Sequence, residues 1–173
     1  MASALARFIG FQLVWFACIL GAAQDRPYFG PVAAALYAAL HFALSRERSA
    51  EARILVLAAL FGAAADSVLV GTGRIRLAGP ALPPTLVPLW MIALWAGFAT
   101  LLRSAFARLR GRPALAAILG AVAGPLSYAA GARLGAAEIL APAPASMAAI
   151  ALEWGVAMPL LVALAFRVSR QSA

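Results

Sequence analysis

The stretch ILVLAALFGAAADSVLV, residues 54–70, holds a single ionisable side chain, Asp66, among residues that are otherwise uncharged. As a helix it rises ~1.5 Å per residue, close to the length needed to cross a hydrocarbon core of roughly 30 Å. An acid at that depth is costly unless it is paired or wetted, so it marks a functional position by default. A second acid, Glu153, stands in a comparable apolar run nearer the C-terminus. These two carboxylates and the apolar segments around them decide both the fold class and the place where chemistry is expected.

The composition agrees with the segment. Hydrophobic residues make up 65% of the chain, charged residues 12%, and the mean hydropathy is +0.93. Soluble domains carry roughly 45–50% apolar and about 25% charged residues. The chain therefore reads as a multi-pass membrane protein, an all-α bundle of six transmembrane helices in one domain. The six segments are expected at about 8–23, 28–44, 54–70, 86–102, 114–134 and 146–166. The breaks between them have recognisable chemistry. Asp25-Arg26-Pro27 separates the first two, Ser45-Arg46-Glu47-Arg48 the next, and Gly79-Pro80 with Pro83-Pro84 precedes the fourth. Arg110-Gly111-Arg112-Pro113 opens the fifth, and Ala141-Pro142-Ala143-Pro144 precedes the sixth, with Ser146 as an expected N-cap.

All fourteen basic residues are arginine. Lysine and asparagine, whose codons are AT-rich, are both absent, which suggests a GC-rich bacterial genome. Alternating the six segments puts Arg7, Arg46, Arg48, Arg53, Arg103, Arg108, Arg110, Arg112, Arg167 and Arg170 at one end. Arg26, Arg74, Arg76 and Arg133 fall at the other. The positive-inside rule then places both termini in the cytoplasm, with the chain in the inner membrane. The net charge of +8 is thus an orientation signal, and nucleic acid is not an expected partner. A cleaved signal peptide is the rival reading of Arg7, the apolar run and Gly21-Ala22-Ala23. Trp15 and Phe16 ahead of Ala17-Cys18 argue against lipoprotein processing. Cys18 is the only cysteine and His41 the only histidine. No metal site and no cofactor are expected, and di-iron membrane chemistry, which needs a histidine-rich box, is excluded.

The candidate site lies in the outer half of the bilayer. Asp66, Ser127, Tyr128 and Glu153 all fall there, with Ser67 beside Asp66, Trp154 deeper, Arg133 above Tyr128 and Arg74 and Arg76 in the loop after the Asp66 helix. Two readings stay open at this level. One is a polar pocket for an anionic or polar headgroup. The other is a buried acid–arginine clamp that holds helix register. In the run Gly120-Ala-Val-Ala-Gly124-Pro125-Leu-Ser127-Tyr128, and again at Gly131 and Gly135, small residues four apart allow a neighbouring helix to approach closely. Pro125 withdraws one backbone donor from its helix. His41 reads either as a proton carrier or as a group bonded to a carbonyl or water. Trp90 reads as part of an interfacial aromatic belt, Trp95 and Trp154 as cavity walls or core, and Pro159 as a kink in the sixth helix.

Taken together, Phe11-Gln12 with Trp15, His41, Gly62 with Asp66-Ser67 and Gly71, Pro88-Leu89-Trp90 with Trp95, Gly124-Pro125-Leu126-Ser127-Tyr128 with Gly131, and Trp154 with Pro159-Leu160 carry a resemblance. The chain resembles a family of small bacterial inner-membrane proteins that share a domain of unknown function. The resemblance covers nearly the whole chain. Members of that family are often encoded near genes resembling cyclopropane-fatty-acid synthases and related lipid-modifying enzymes. It therefore implies a role in membrane-lipid metabolism or stress response, with membrane lipids and lipid-modifying enzymes as partners. The leading expectation is an accessory, lipid-binding component. A solute-binding subunit of a small transporter and a membrane enzyme using Asp66 or Glu153 are the alternatives. The first of these rests on a likeness in size and helix count to the six-helix substrate-capture subunits of vitamin transporters.

Overall fold

The structure is a computed structural model and describes residues 2–81 and 86–170. Six helices follow one another: α1 (Ala2–Ala23), α2 (Phe29–Leu44), α3 (Arg48–Gly71), α4 (Leu89–Ala99), α5 (Pro113–Arg133) and α6 (Ala143–Arg170). Pro83-Pro84, expected to stop any helix before α4, lies outside the described residues. α5 starts on Pro113, where the missing N–H costs nothing and the fixed φ suits a first turn. Both Pro125 and Pro159 lie inside continuous helices.

What surrounds the bundle is legible from its outer face. Leu13, Leu36, Leu60, Leu126 and Leu152, on five different helices, are 64–71% exposed. Soluble monomers rarely leave contiguous apolar patches above a few hundred Å². A bundle wrapped in leucine on this scale is suited to hydrocarbon. Four helices, α1, α3, α5 and α6, are long and apolar enough to cross a membrane. The expectation of six full-length spans is corrected at α2 and α4, which have 16 and 11 residues. At ~1.5 Å per residue α4 covers only roughly 16 Å. It starts directly after Pro88, and its last turn tightens into i→i−3 bonds. There the Thr100 hydroxyl donates to the Gly97 carbonyl at 2.7 Å. The chain then runs through turns that keep Leu101 and Leu102 buried, and a 3-10 turn at Ala107–Leu109 leads back to α5. Irregular backbone at membrane depth is tolerated where protein covers it.

Two strands depart from the all-α expectation. β1 (Ile75–Leu77) and β2 (Ala137–Ile139) form an antiparallel ribbon at the end opposite the arginine cluster. Arg76 faces Glu138 across it and pairs with that carboxylate, both side chains being exposed. Ile75 is buried beneath. The apolar residues of Arg74-Ile75-Arg76-Leu77 alternate with arginines, the period of a strand. Two tryptophan and serine expectations are corrected here. Trp90 is buried and donates to the Ala78 carbonyl at 2.8 Å, so it fastens the ribbon and does not belong to an interfacial belt. Ser146 lies inside α6, which starts earlier, and its hydroxyl donates to the Leu140 carbonyl at 2.8 Å.

The other end is held by charge. Arg103 donates to Glu51 at 3.0 Å and to Glu47 at 2.6 Å, and His41 meets the second Glu51 oxygen at 3.2 Å. This ties α2, α3 and the segment after α4 together. It also gives His41 a carboxylate partner where a carbonyl or water was expected. The arrangement makes a labelling prediction, since the native Cys18 is buried and should be a silent background. In sealed membranes, a membrane-impermeant maleimide should label one of Ala141→Cys and Arg46→Cys, and the other only after permeabilisation. Labelling of both from one side would refute the two-ended arrangement.

Candidate functional site

Two helices contribute the same spacing. α3 carries Gly62 and Asp66, and α5 carries Gly124 and Tyr128, each pair one turn apart on one face. Between them α4 and α6 insert Trp95 and Trp154. The two indoles stack with ring centroids 4.5 Å apart and planes 14° from parallel. A Cβ on Gly62 would fall on the Trp95 ring, and a Cβ on Gly124 on the Trp154 ring. The order across the bundle is therefore glycine, indole, indole, glycine. Gly120 continues the contact one turn below, against the Trp154 carbonyl and 2.8 Å from Met158 Cβ if it bore a side chain. Phe98 stands edge-on to both indoles, at 6.0 and 5.2 Å.

The residues one turn above the glycines close the polar edge of this stack. Asp66 is fully buried, and Trp95 Nε1 donates to one of its oxygens at 2.6 Å. The Tyr128 hydroxyl donates to the other. A carboxylate in hydrocarbon thus obtains two strong donors without any cation. The expected acid–arginine clamp is corrected on this point. Arg133 is exposed and pairs with no carboxylate among the described residues, Arg76 is spent on Glu138, and Arg74 is half-buried just before β1. An arginine here would carry its own desolvation cost, which two neutral donors avoid.

The remaining candidates fall in different places. Ser67 turns back to its own helix and donates to the Ala63 carbonyl at 2.5 Å. Ser127 accepts a hydrogen bond from Trp15 Nε1 at 3.0 Å, which bridges α1 to α5. Gly131 lies against Ile19 of α1, 3.4 Å from where its Cβ would stand, and Pro125 is buried beside Gly124. Glu153 is close enough to Asp66 for the two charges to interact, but both its oxygens are buried with no hydrogen-bond partner among the described residues. Trp154 Nε1 lies beside the Tyr128 hydroxyl and also reaches no acceptor at bonding distance. Among the described residues no group of three or more His, Cys, Asp or Glu stands together as a metal site would need.

A cavity of about 350 Å³ opens on the other side of the indoles, between α1, α4, α5 and α6. Trp95, Trp154 and Tyr128 form its back wall, so the Asp66 cluster buttresses it from behind. α1 and α5 converge at the ribbon end, where Gly131 meets Ile19 and Gly135 meets Ala23. The cavity begins short of that contact, at Trp15 and Ala130, and extends to Phe8 and Phe106 near the arginine-rich end. Aromatic rings dominate its lining, Gln12, Ser127 and Tyr128 supply the hydrogen-bonding side chains besides the indoles, and no charged side chain lines it. Sequence reading underrated Gly62, Trp95 and Gln12. The repeated spacing of Gly62 to Asp66 and Gly124 to Tyr128 was the available signal.

A family model described as protein of unknown function (DUF2878) matches residues 4–160. The chain belongs to that family. The match takes in the whole indole stack, the Asp66 cluster and the cavity from Phe8 to Trp154. No curated protein and no solved structure matches the chain.

Three substitutions test the energetics in detergent thermal unfolding. Gly124→Leu and Gly62→Leu drive a side chain into an indole and should each cost ~1–3 kcal/mol or more. A wild-type melting temperature in either would remove the stacking argument. Asp66→Asn puts an amide N–H₂ where one donor needs an acceptor, and should cost about 1–3 kcal/mol. Its effect should be non-additive with Tyr128→Phe, which a double-mutant cycle reads directly. Glu153→Met, by contrast, removes an unpartnered buried acid next to Asp66. It should leave stability unchanged or raised, and a large loss would show that Glu153 has a structural partner.

Proposed function

We propose that this protein is a multi-pass inner-membrane protein with both termini in the cytoplasm that holds the hydrocarbon part of a lipid. In this reading it serves membrane-lipid metabolism or stress response as a non-catalytic component beside lipid-modifying enzymes. The observation that carries it is the aromatic cavity between α1 and α5. It is elongated along the helices, uncharged in its lining and reaches the lipid-facing surface at Phe8 and Ala123, which are exposed. Ligand sites are typically apolar concavities of ≈ 300–1,000 Å³ with a few placed polar groups, and this one falls in that range. The four long helices cross the membrane, and α2 and α4, with 16 and 11 residues, enter it as shorter apolar segments in this reading. The arginine excess at the end holding both termini supports the orientation.

The buried acids support binding over catalysis. Both Asp66 oxygens are occupied by Trp95 and Tyr128, and Asp66 and Glu153 lie off the cavity wall. Asp66 therefore acts by holding the wall rigid. On this reading the ligand lies in the aromatic cavity and not in the polar headgroup pocket that the sequence suggested.

Native mass spectrometry after gentle detergent release tests the proposal. The wild type should retain lipid at near one copy per chain. Ala123→Trp fills the cavity from its exposed side, and should lose that lipid while keeping the wild-type melting temperature. Equal lipid retention in a folded Ala123→Trp protein, or a lipid-free wild type, would refute it.

A further inference from the structure

The cavity wall is apolar except at one level. Gln12 of α1 lies roughly 15 Å above the start of its helix, near the middle of a core of about 30 Å. It lines the cavity and is half-buried, and its side chain makes no hydrogen bond within the described residues. An amide is a costly group to place in hydrocarbon without a partner. One turn higher, Ser127 faces the same space. It accepts from Trp15 Nε1, which leaves its own O–H proton free to donate. The Tyr128 proton is already committed to Asp66. Gln12 offers two N–H donors and one acceptor, so this level of the cavity is donor-rich and uncharged.

We infer that the cavity binds a neutral lipid carrying an oxygen within its hydrocarbon body, placed at Gln12 and Ser127. The inference rests on the lipid-binding reading above and narrows its ligand. Aromatic rings such as Phe11 and Phe98 flank the polar level and suit the hydrocarbon on either side. The uncharged lining excludes a phosphate or carboxylate at this depth, since an unpaired ion there would be left without compensation. A ring carbonyl of an isoprenoid quinone and a hydroxyl or keto group along an acyl chain share the required chemistry. A phospholipid whose oxygens are confined to its headgroup and glycerol esters does not.

The test compares lipid extracted from the purified full-length wild type, Gln12→Met and Gln12→Leu. Methionine matches glutamine in length and leucine is apolar, so at least one variant should fold, as judged by its melting curve. The wild type should carry a chain-oxygenated neutral lipid, and the folded variant should lose it at least tenfold while still taking up plain acyl lipid. Near-ultraviolet absorbance that changes on borohydride reduction identifies a quinone. Tandem mass spectra locate an oxygen along an acyl chain. Equal retention of the oxygenated lipid by wild type and variant overturns the inference. So does a wild type holding only oxygen-free chains, although the lipid-binding reading then survives. A wild type that holds no lipid overturns both.

Discussion

An acid buried in hydrocarbon must be satisfied, and Asp66 is satisfied by two neutral donors. Everything around it follows from how those donors reach it. Trp95 can present its Nε1 only if its ring lies flat on α3, and that requires a residue without a Cβ at Gly62. Trp154 can stack on Trp95 only if α5 offers a similar gap at Gly124, which brings α5 and α6 into close contact and sets Tyr128 over Asp66. One carboxylate thereby couples α3, α4, α5 and α6. Lipid offers no hydrophobic driving force between helices, so shape fit and hydrogen bonds of this kind carry the association.

This explains why the cavity stands beside the polar cluster. The indoles whose faces are packed between the two glycines also line the cavity. Such a wall is fixed, because each ring is held by a glycine gap, a stacking partner and, for Trp95, a hydrogen bond. Rigid walls favour a preformed site, which lowers the ordering cost of binding. The two ends of the bundle are secured by different means. The arginine-rich end uses the buried His41–Glu51–Arg103 contacts, and the opposite end uses a ribbon locked by Arg76–Glu138 and Trp90.

The arginines show how a local pattern can mislead. Arg74 and Arg76 follow closely on the helix that carries Asp66, Arg133 ends the helix that carries Tyr128, and these positions suggested pairing. In the fold Arg133 and Arg76 are exposed, and Arg76 finds the nearer acid Glu138 across the ribbon. The long arginine stem lets the charge leave the apolar region at little cost, so an arginine near a helix end has no need of a buried partner.

The sequence by itself determined the solvent, the helical class and the singularity of Asp66. Composition and segment length suit the chain to hydrocarbon, and a lone acid in an apolar run is costly in any fold. The helix start at Pro113 was also legible, because proline acts locally. Tertiary structure decided which donors meet Asp66, that α2 and α4 are short, and that the cavity runs between α1 and α5. These depend on contacts between residues far apart in the chain, such as Trp95 on Gly62 and Trp15 on Ser127. In a helix that is apolar on every side, periodicity does not distinguish the packed face from the lipid-facing one. Only the close approach of a neighbouring helix makes that distinction, which is why the glycine spacing marked a packed face without naming the indoles that fill it.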